Sequence, residues 1–260
     1  QGLCVVGPTA SGKTALGVWL AQQYNGEVVS CDSMQIYRRM DIGTAKPTKE
    51  EMQGIPHHMI DIADPEEDYS VARYVELAAP CVDDILARGK LPIVAGGTGL
   101  YLDSLLSGRT FAPFSPDGGL RARLEARFDA LGGEAMLGEL AAADPEAAAR
   151  LHPNDRKRIV RALEVFQQTG KTISQHNRET RALPLRYDAL TLSLAFQRRE
   201  DMWARIDRRV DEMMAAGLAE EVRALLDSGV PVRCTAMQAI GYKEMAAAQR
   251  GGGDVCAAAE

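Results

Sequence analysis

Short apolar runs alternate with longer segments of helical character over the first hundred residues. The apolar runs at residues 3–6, 27–30 and 91–95 predict buried strands. Between them, residues 13–24 and 71–88 have the pattern of helices. Strands that alternate with helices predict a mostly parallel sheet with helices on both of its faces.

The pattern changes after residue 108. Residues 111–119 are rich in proline and glycine and predict a linker, and two short helices without an intervening strand follow it. We interpret residues 111–150 as a helical insertion. Residues 1–110 together with 151–260 then form the α/β core.

The rest of the chain predicts elements of both kinds. Asp144 and Pro145 open a short helix, because aspartate is a favoured cap and proline is favoured in the first helical turn. The remaining predictions are a strand at residues 57–62, a helix from Asn154 or Asp155 to Gly170, a strand at residues 187–194 that rejoins the sheet, and a helical stretch at residues 199–229 broken near Gly217.

A glycine-rich motif connects the first predicted strand to the first predicted helix, and it has the full pattern of a phosphate-binding loop. In such loops backbone amides point at phosphate oxygens, and the following helix adds the positive end of its dipole. Lys13 would neutralise the phosphates, and the Thr14 hydroxyl would ligate a Mg²⁺ ion that bridges them. The expected fold class is therefore α/β, a P-loop NTPase-like parallel sheet flanked by helices, with a helical insertion domain. The motif consists of Gly7, Pro8, Thr9, Ala10, Ser11, Gly12, Lys13 and Thr14.

Taken alone, this loop suggests ATP binding. An ATP-hydrolysing protein of this class also needs a carboxylate at the end of an apolar strand, to hold magnesium and its water. The strand at residues 91–95 ends instead in Gly96-Gly97-Thr98-Gly99, without an acid. This absence weakens the ATPase interpretation, since a loop that holds diphosphate as a leaving group needs no water-activating group.

Two further residues follow predicted strands. Asp32 follows the second strand and Thr98 follows the strand at residues 91–95, so both are expected at the sheet edge where the loop opens. A carboxylate there can accept the proton of an attacking amine or hydroxyl. A magnesium ligand and a helix cap are the alternatives for Asp32, and simple capping is the alternative for Thr98. We interpret His57 and His58 as structural, because adjacent residues in a strand point to opposite faces.

Composition restricts the function classes. The chain is 46% hydrophobic and 5% aromatic, and no run approaches the roughly 20 apolar residues that span a membrane. A formal net charge of -6 argues against non-specific nucleic-acid binding, although a local basic run lies at residues 150–161. Five scattered cysteines without CxxC pairs indicate free thiols in a reducing cytosol. We therefore expect a cytoplasmic, monomeric protein without a membrane partner.

Six collinear blocks together resemble the tRNA dimethylallyltransferase family, also called tRNA isopentenyltransferases. The resemblance runs from the first residues to near the last. Each block alone is modest, apart from the phosphate-binding loop, but their order makes the match specific. The blocks are GPTASGKT (7–14), CDSMQIYRRMDIGTAKPT (31–48), DIADP (61–65), VAGGTGLYLDSLL (94–106), LHPNDRKRIVRALEV (151–165) and AMQAIGYKE (236–244).

The resemblance implies transfer of a dimethylallyl group from dimethylallyl diphosphate to the exocyclic amine of an adenosine beside the tRNA anticodon. It implies that Asp32 is the general base on that amine and that Thr98 helps to hold it. It also implies that the loop, with Lys13 and Mg²⁺, holds the diphosphate. Arg199 and Arg205 match an arginine-bearing family segment and are further candidates for the diphosphate, with surface ion pairs as the alternative.

The resemblance also implies where tRNA binds, and it makes the helical insertion at residues 111–150 a candidate for tRNA contact. For the basic segment at residues 157–161, the alternative is an ordinary solvated helix face. The implied tRNA-contacting residues are Asp32, Ser33, Met34 and Gln35 with Thr98, and then Lys157, Arg158, Ile159, Val160 and Arg161.

Three other function classes stay open. A small-molecule kinase would also have a phosphate-binding loop and an acid after its second strand, but it usually adds an arginine-bearing lid where this chain has a long helical insertion. An isopentenyltransferase could act on free adenine nucleotides, although the insertion and residues 157–161 favour a large RNA substrate. The third class is a non-catalytic nucleotide switch or RNA-binding module.

Overall fold

The structure, a computed structural model, describes residues 1–108, 111 and 119–251. The chain forms two compact units. The first comprises residues 1–106 and the described residues from 186 onward, and the second comprises the described residues of 107–185. The predicted linker lies mostly outside the described residues.

A five-stranded parallel sheet is the centre of the first unit, which confirms the predicted α/β class. Its spatial order is β3-β2-β4-β1-β5. The central strands are largely buried, as expected for a parallel sheet covered on both faces. The strands are β1 (Gly2–Val6), β2 (Gly26–Ser30), β3 (His57–His58), β4 (Leu91–Ala95) and β5 (Ala189–Ser193).

Twelve helices occur in the described part of the chain. A short 3₁₀ helix, Ala236–Gln238, precedes the last of them. The helices are α1 (Lys13–Gln23), α2 (Lys49–Met52), α3 (Val71–Ala87), α4 (Gly99–Ser107), α5 (Gly119–Leu131), α6 (Gly133–Ala143), α7 (Pro145–Ala148), α8 (Arg156–Thr169), α9 (Ile173–Arg181), α10 (Arg199–Ala215), α11 (Leu218–Asp227) and α12 (Tyr242–Gly251).

The strand predicted at residues 57–62 was too long, because only His57 and His58 pair with β2. Met59 and Asp61 adopt positive φ angles of 64° and 55°. This left-handed conformation is incompatible with an extended strand, so the chain turns away from the sheet after two residues.

The second unit consists of α5 to α9, and its extent corrects the predicted boundary at residue 150. The sequence prediction assigned α8 to the catalytic core. In the structure the apolar face of α8 is buried against the preceding helices, where Ile159 and Leu163 pack in one cluster with Leu124, Met136 and Leu140. An amphipathic pattern predicts that a helix buries one face, but it does not say which partner covers that face.

Candidate active site

The carboxyl ends of the strands meet at one edge of the sheet, which is where ligands bind in such folds. The phosphate-binding loop follows β1, Asp32 follows β2, and Gly96 and Gly97 follow β4. All of them line a single crevice. The structure thus brings together the loop and Asp32, as the sequence predicted. The other residues lining the crevice include Gln35, Thr44, Ala45, Glu51 and Arg209.

Gly96 allows the end of β4 to approach the end of β2. A Cβ atom at this position would lie 2.3 Å from the carbonyl oxygen of Cys31. That oxygen already accepts a hydrogen bond from the backbone N–H of Thr98 at 3.0 Å. The absence of a side chain at residue 96 therefore sets the close spacing of the two strand ends that carry Asp32 and Thr98.

Lys13 folds back over the phosphate-binding loop. Its Nζ donates to the carbonyl oxygens of Gly7, at 2.8 Å, and of Pro8, at 2.7 Å. The pKa of the Lys13 ammonium lies below its usual value, mainly because the group is partly buried. The Arg209 guanidinium lowers this pKa further, and the nearby Asp32 carboxylate opposes the shift. Thr14, at the start of α1, is exposed and lines the crevice, so its hydroxyl is accessible to a ligand.

Asp32 closes a turn and lines the crevice at the same time. Its Oδ1 accepts the backbone N–H groups of Met34, at 2.9 Å, and of Gln35, at 3.3 Å. Within the described residues, Oδ2 accepts no hydrogen bond from the protein. The two interpretations of Asp32, a local cap and a reactive carboxylate, are therefore compatible, because each uses a different oxygen.

Thr98 contacts the turn that Asp32 begins. Its Oγ1 accepts the backbone N–H of Ser33 at 3.0 Å and donates to the Ser33 hydroxyl at 3.3 Å. The Thr98 carbonyl oxygen accepts the Cys31 thiol at 3.4 Å. Burial raises the pKa of that thiol to about 12, so it stays protonated and serves as a structural donor.

The side-chain amide of Gln35 is hydrogen-bonded to other protein groups. Its Nε2 donates to the carbonyl oxygens of Thr44, at 3.2 Å, and Ala45, at 3.1 Å, and its Oε1 accepts from Ser30 Oγ at 3.2 Å. Met34 is half-buried. Gln35 therefore shapes the crevice wall, since its donors already have partners.

Arg209 of α10 is the main residue of the crevice that the sequence prediction missed. It is half-buried and faces the same crevice as the phosphate-binding loop. The pKa of its guanidinium lies below its usual value because of burial, and the Asp32 and Glu51 carboxylates oppose that shift. The available signal was helical spacing, because Arg209 lies four residues after the predicted Arg205 and on the same face of α10.

The two arginines predicted on α10 lie elsewhere. Arg205 donates from Nη1 to the carbonyl oxygen of Ala10 at 3.2 Å, on a neighbouring surface that includes Ser11. Arg199 is exposed at the first position of the helix and does not line the crevice. Arg205 therefore supports the loop backbone, and Arg209 supplies the cation that faces Asp32.

The basic helix α8 presents a mixed surface. Lys157 is exposed and the side chain of Arg158 is 73% exposed, whereas Arg161 pairs with the buried Glu164. Ile159 and Val160 are buried in the core of the second unit, so their side chains pack within the helical unit. Both lie on the apolar face of the amphipathic helix.

The two histidines contact protein atoms. His58 Nε2 lies 2.8 Å from Glu27 Oε2, and His57 Nδ1 lies 2.9 Å from the carbonyl oxygen of Ile55. Throughout the described residues, no group of three or more His, Cys, Asp or Glu side chains is arranged to hold a metal. Metal binding in the crevice would therefore rely on few protein oxygens together with those of a bound substrate.

Comparison with known proteins identifies the family. The IPP transferase family matches residues 35–260, and the Isopentenyl transferase family matches residues 3–64. A tRNA dimethylallyltransferase of Caldanaerobacter subterraneus subsp. tengcongensis is 49% identical over 94% of this chain and 78% of its own length. The chain belongs to the tRNA dimethylallyltransferase family. A tRNA dimethylallyltransferase of Bacillus subtilis is 47% identical over 93% of this chain and 76% of its own length.

Solved structures of tRNA dimethylallyltransferases have the same fold. A full-length tRNA isopentenylpyrophosphate transferase from Bacillus halodurans is 42% identical, with a TM-score of 0.69, and the match covers 100% of this chain and 80% of that one. A eukaryotic dimethylallyltransferase solved acting on tRNA is 31% identical, with a TM-score of 0.83, over 99% of this chain and 65% of that one. The chain is thus an enzyme of the prenyltransferase class. In the described residues, no helix combines the length and apolar character needed to cross a membrane.

Proposed function

We propose that this tRNA-modifying prenyltransferase uses dimethylallyl diphosphate and magnesium to prenylate the exocyclic amine of the adenosine next to the tRNA anticodon. The observation that carries the proposal is the pairing of charges in one crevice. Lys13 and Arg209 supply positive charge beside the phosphate-binding loop, and the carboxylate of Asp32 faces them. This arrangement suits a reaction that separates an anionic leaving group from a nucleophile that loses a proton.

The cations act on the leaving group. When the allylic carbon–oxygen bond breaks, both bonding electrons leave with the diphosphate, and negative charge grows on its bridging oxygen. The loop amides, Lys13 and Arg209 lie in positions to stabilise that charge as it develops. Arg205 contributes indirectly through its hydrogen bond to the carbonyl oxygen of Ala10.

Asp32 acts on the nucleophile. The adenosine amine forms a bond from nitrogen to the allylic carbon and then carries an extra proton, which the carboxylate of Asp32 accepts. The oxygen Oδ1 is held by the amides of Met34 and Gln35, so Oδ2 is the oxygen available for the proton. Thr98 orients this turn through Ser33. The adenine must leave its base stack to reach the crevice.

The crevice fits a magnesium ion bound chiefly by the substrate. The exposed Thr14 hydroxyl would supply a hard oxygen donor there, and phosphate oxygens and water would supply the others. When bound, the ion would neutralise part of the diphosphate charge. The protein side chains would still position the diphosphate and accept the proton.

The tRNA would also contact α8 of the second unit. Lys157 and Arg158 are the exposed cations of the segment that the family resemblance assigns to tRNA. We infer that they bind backbone phosphates, which contribute affinity without reading sequence.

The test is incubation of the protein with dimethylallyl diphosphate, Mg²⁺ and unmodified tRNA, followed by mass spectrometry of the digested nucleosides. We expect a prenylated adenosine from the anticodon loop. Parallel reactions contain AMP in place of tRNA, or ATP with small hydroxyl acceptors. Prenylated AMP without modified tRNA, or ATP turnover without prenylation, would refute the proposal.

A variant separates the two roles that Asp32 could have. Asp32→Asn keeps an oxygen for the amides of Met34 and Gln35 but removes the base, so we expect kcat to fall by about 10²- to 10⁴-fold. Binding of dimethylallyl diphosphate, measured by calorimetry with Mg²⁺, should change little. An equal loss of diphosphate affinity would mean that Asp32 is chiefly a magnesium ligand.

A further inference from the structure

Glu221 of α11 binds a backbone turn that lies far from it in sequence. Its Oε2 accepts the N–H groups of Asp41 and Ile42, both at 2.9 Å, and its Oε1 accepts the N–H of Gly43 at 3.3 Å. Hydrogen bonds to a charged carboxylate are stronger than neutral ones. One half-buried side chain therefore fixes three consecutive amides of the loop that follows β2.

Tyr242 of α12 completes this contact from the other side. Its hydroxyl donates to Glu221 Oε1, and the side chain is fully buried. A Cβ atom on Gly43 would lie 2.5 Å from Cε2 of the Tyr242 ring and 2.8 Å from Cδ1 of Leu218. The turn thus packs directly on the ring, which only a glycine permits. Burial, together with the Glu221 carboxylate, raises the pKa of Tyr242 well above its usual range, so its hydroxyl keeps its proton.

The turn leads directly into the wall of the crevice. Thr44 and Ala45, the next two residues, line the crevice, and their carbonyl oxygens accept the side-chain amide of Gln35. The backbone N–H of Gln35 in turn donates to Asp32 Oδ1. Hydrogen bonds joined by short stretches of backbone therefore connect Glu221 to the turn that carries Asp32.

We propose that Glu221 is a positioning residue for prenyl transfer, which holds the crevice wall at residues 41–45 and, through Gln35, the orientation of the Asp32 carboxylate. The proposal rests on the proposed function for the role of Asp32. Glu221 itself does not line the crevice and acts only through other residues. The phosphate-binding loop is built on β1 and α1, outside this series of hydrogen bonds, so diphosphate binding should not depend on Glu221.

The kinetic test compares Glu221→Ala and Glu221→Gln with a matched control, Glu220→Gln. Glu220 is the neighbouring residue on α11 and is exposed, so its substitution makes the same charge change outside the contact. For Glu221→Ala we expect kcat to fall by about 10- to 100-fold, since small displacements of catalytic groups have effects of this size. The KM for dimethylallyl diphosphate should stay within about threefold of wild type. Glu221→Gln should recover part of kcat, because its amide oxygen still accepts from the turn, and Glu220→Gln should match wild type.

Hydrogen exchange tests the contact independently of activity. In Glu221→Ala, the amides of residues 41–43 should exchange about tenfold faster or more, as expected when a charge-assisted hydrogen bond is lost. The amides of α1 should be unchanged. If Glu221→Ala does not fold, Tyr242→Phe carries the test, since it keeps the ring against Gly43 and removes only the hydroxyl. That variant should show faster exchange at residues 41–43 and a smaller fall in kcat.

Several outcomes would overturn the proposal. The proposal fails if folded Glu221→Ala has the kcat of wild type. It also fails if Glu221→Ala loses kcat and diphosphate affinity to the same extent, or if the control Glu220→Gln has the same defect as Glu221→Ala. Unchanged exchange at residues 41–43 would also overturn it. Failure of the proposed function has a different signature, because the wild type itself would then make no prenylated adenosine while the exchange at residues 41–43 would still respond to Glu221→Ala.

Discussion

Glu27 is a buried carboxylate near the start of β2, the strand that leads to Asp32, and its replacement by glutamine should destabilise the first unit. The residue is 2% exposed. Its carboxylate accepts two hydrogen bonds from Arg88, at 2.5 and 2.8 Å, one from Lys90 at 2.7 Å, and lies 2.8 Å from His58 Nε2. Glutamine has nearly the same size but carries no charge, so the change removes the ion pairs without leaving a cavity.

The expected magnitude follows from the exposure of the partners. Breaking a buried ion pair costs about 3–5 kcal/mol, mainly because the remaining charge is left uncompensated. The side chains of Arg88 and Lys90 are 38% and 33% exposed, so water can reach the cations that remain. We therefore expect the lower end of that range, about 3 kcal/mol, which corresponds to a fall in Tm of about 6–12 °C.

Thermal unfolding followed by circular dichroism measures this effect, and Asp84→Asn is the matched control. Asp84 accepts a hydrogen bond from the same arginine, at 2.8 Å from Arg88 Nε, but its side chain is 63% exposed. Its substitution should change Tm by about 2 °C or less, because exposed ion pairs contribute little. If Glu27→Gln lowers Tm no more than Asp84→Asn does, then burial does not increase the contribution of the Glu27 ion pairs to stability.

The same variant predicts a pH dependence. Hydrogen bonds from Arg88, then from Lys90 and His58, hold the pKa of Glu27 well below its usual range in the folded state. The stabilisation is therefore complete above the unfolded-state pKa of about 4.3 and is lost as the pH falls toward the lowered folded-state value. The free energies of unfolding of wild type and Glu27→Gln should converge as the pH falls from about 5 to about 2. A constant difference over that interval would refute the assignment.

Three further predictions concern the crevice and α8. Arg209→Gln should raise the KM for dimethylallyl diphosphate by about tenfold or more in steady-state assays, whereas Arg199→Gln should have little effect. Gly96→Ala should lower the free energy of unfolding by about 1–3 kcal/mol or more in urea titrations, because its Cβ would lie 2.3 Å from the Cys31 carbonyl oxygen; a stability equal to wild type would contradict the close approach. Lys157→Gln should weaken tRNA binding and reduce the slope of log K against log salt by about one, and an unchanged slope would exclude a phosphate contact.

The sheet and the phosphate-binding loop could be predicted because their signals are local. Apolar runs gave β1, β2 and β4, and the loop is recognisable from eight consecutive residues. Asp32 was identified because parallel strands place their carboxyl ends together. Asp144 also behaves as predicted, since its side chain accepts the N–H of Ala147 at the start of α7.

The predictions that failed depend on contacts between distant residues. Helix α9 was not predicted because its sequence has few apolar residues, although Thr172 and Gln175 form a capping box at its start. Arg209 was missed because the rotation of α10 about its axis, which the sheet and its neighbours determine, decides which arginine faces the crevice. Glu221 contacts amides about 180 residues earlier in the chain, and no local pattern reveals such a partner.

The helical unit leaves the first unit and returns to it at adjacent points. The backbone N–H of Arg186 donates to the carbonyl oxygen of Leu106 at 2.8 Å, so the two ends of the intervening segment are next to each other. A tight peptide link of a few residues could therefore replace residues 107–185 without stretching the sheet. In evolutionary terms, an entire helical unit can be gained, exchanged or lost at this one junction while the unit that contains the parallel sheet keeps its connectivity.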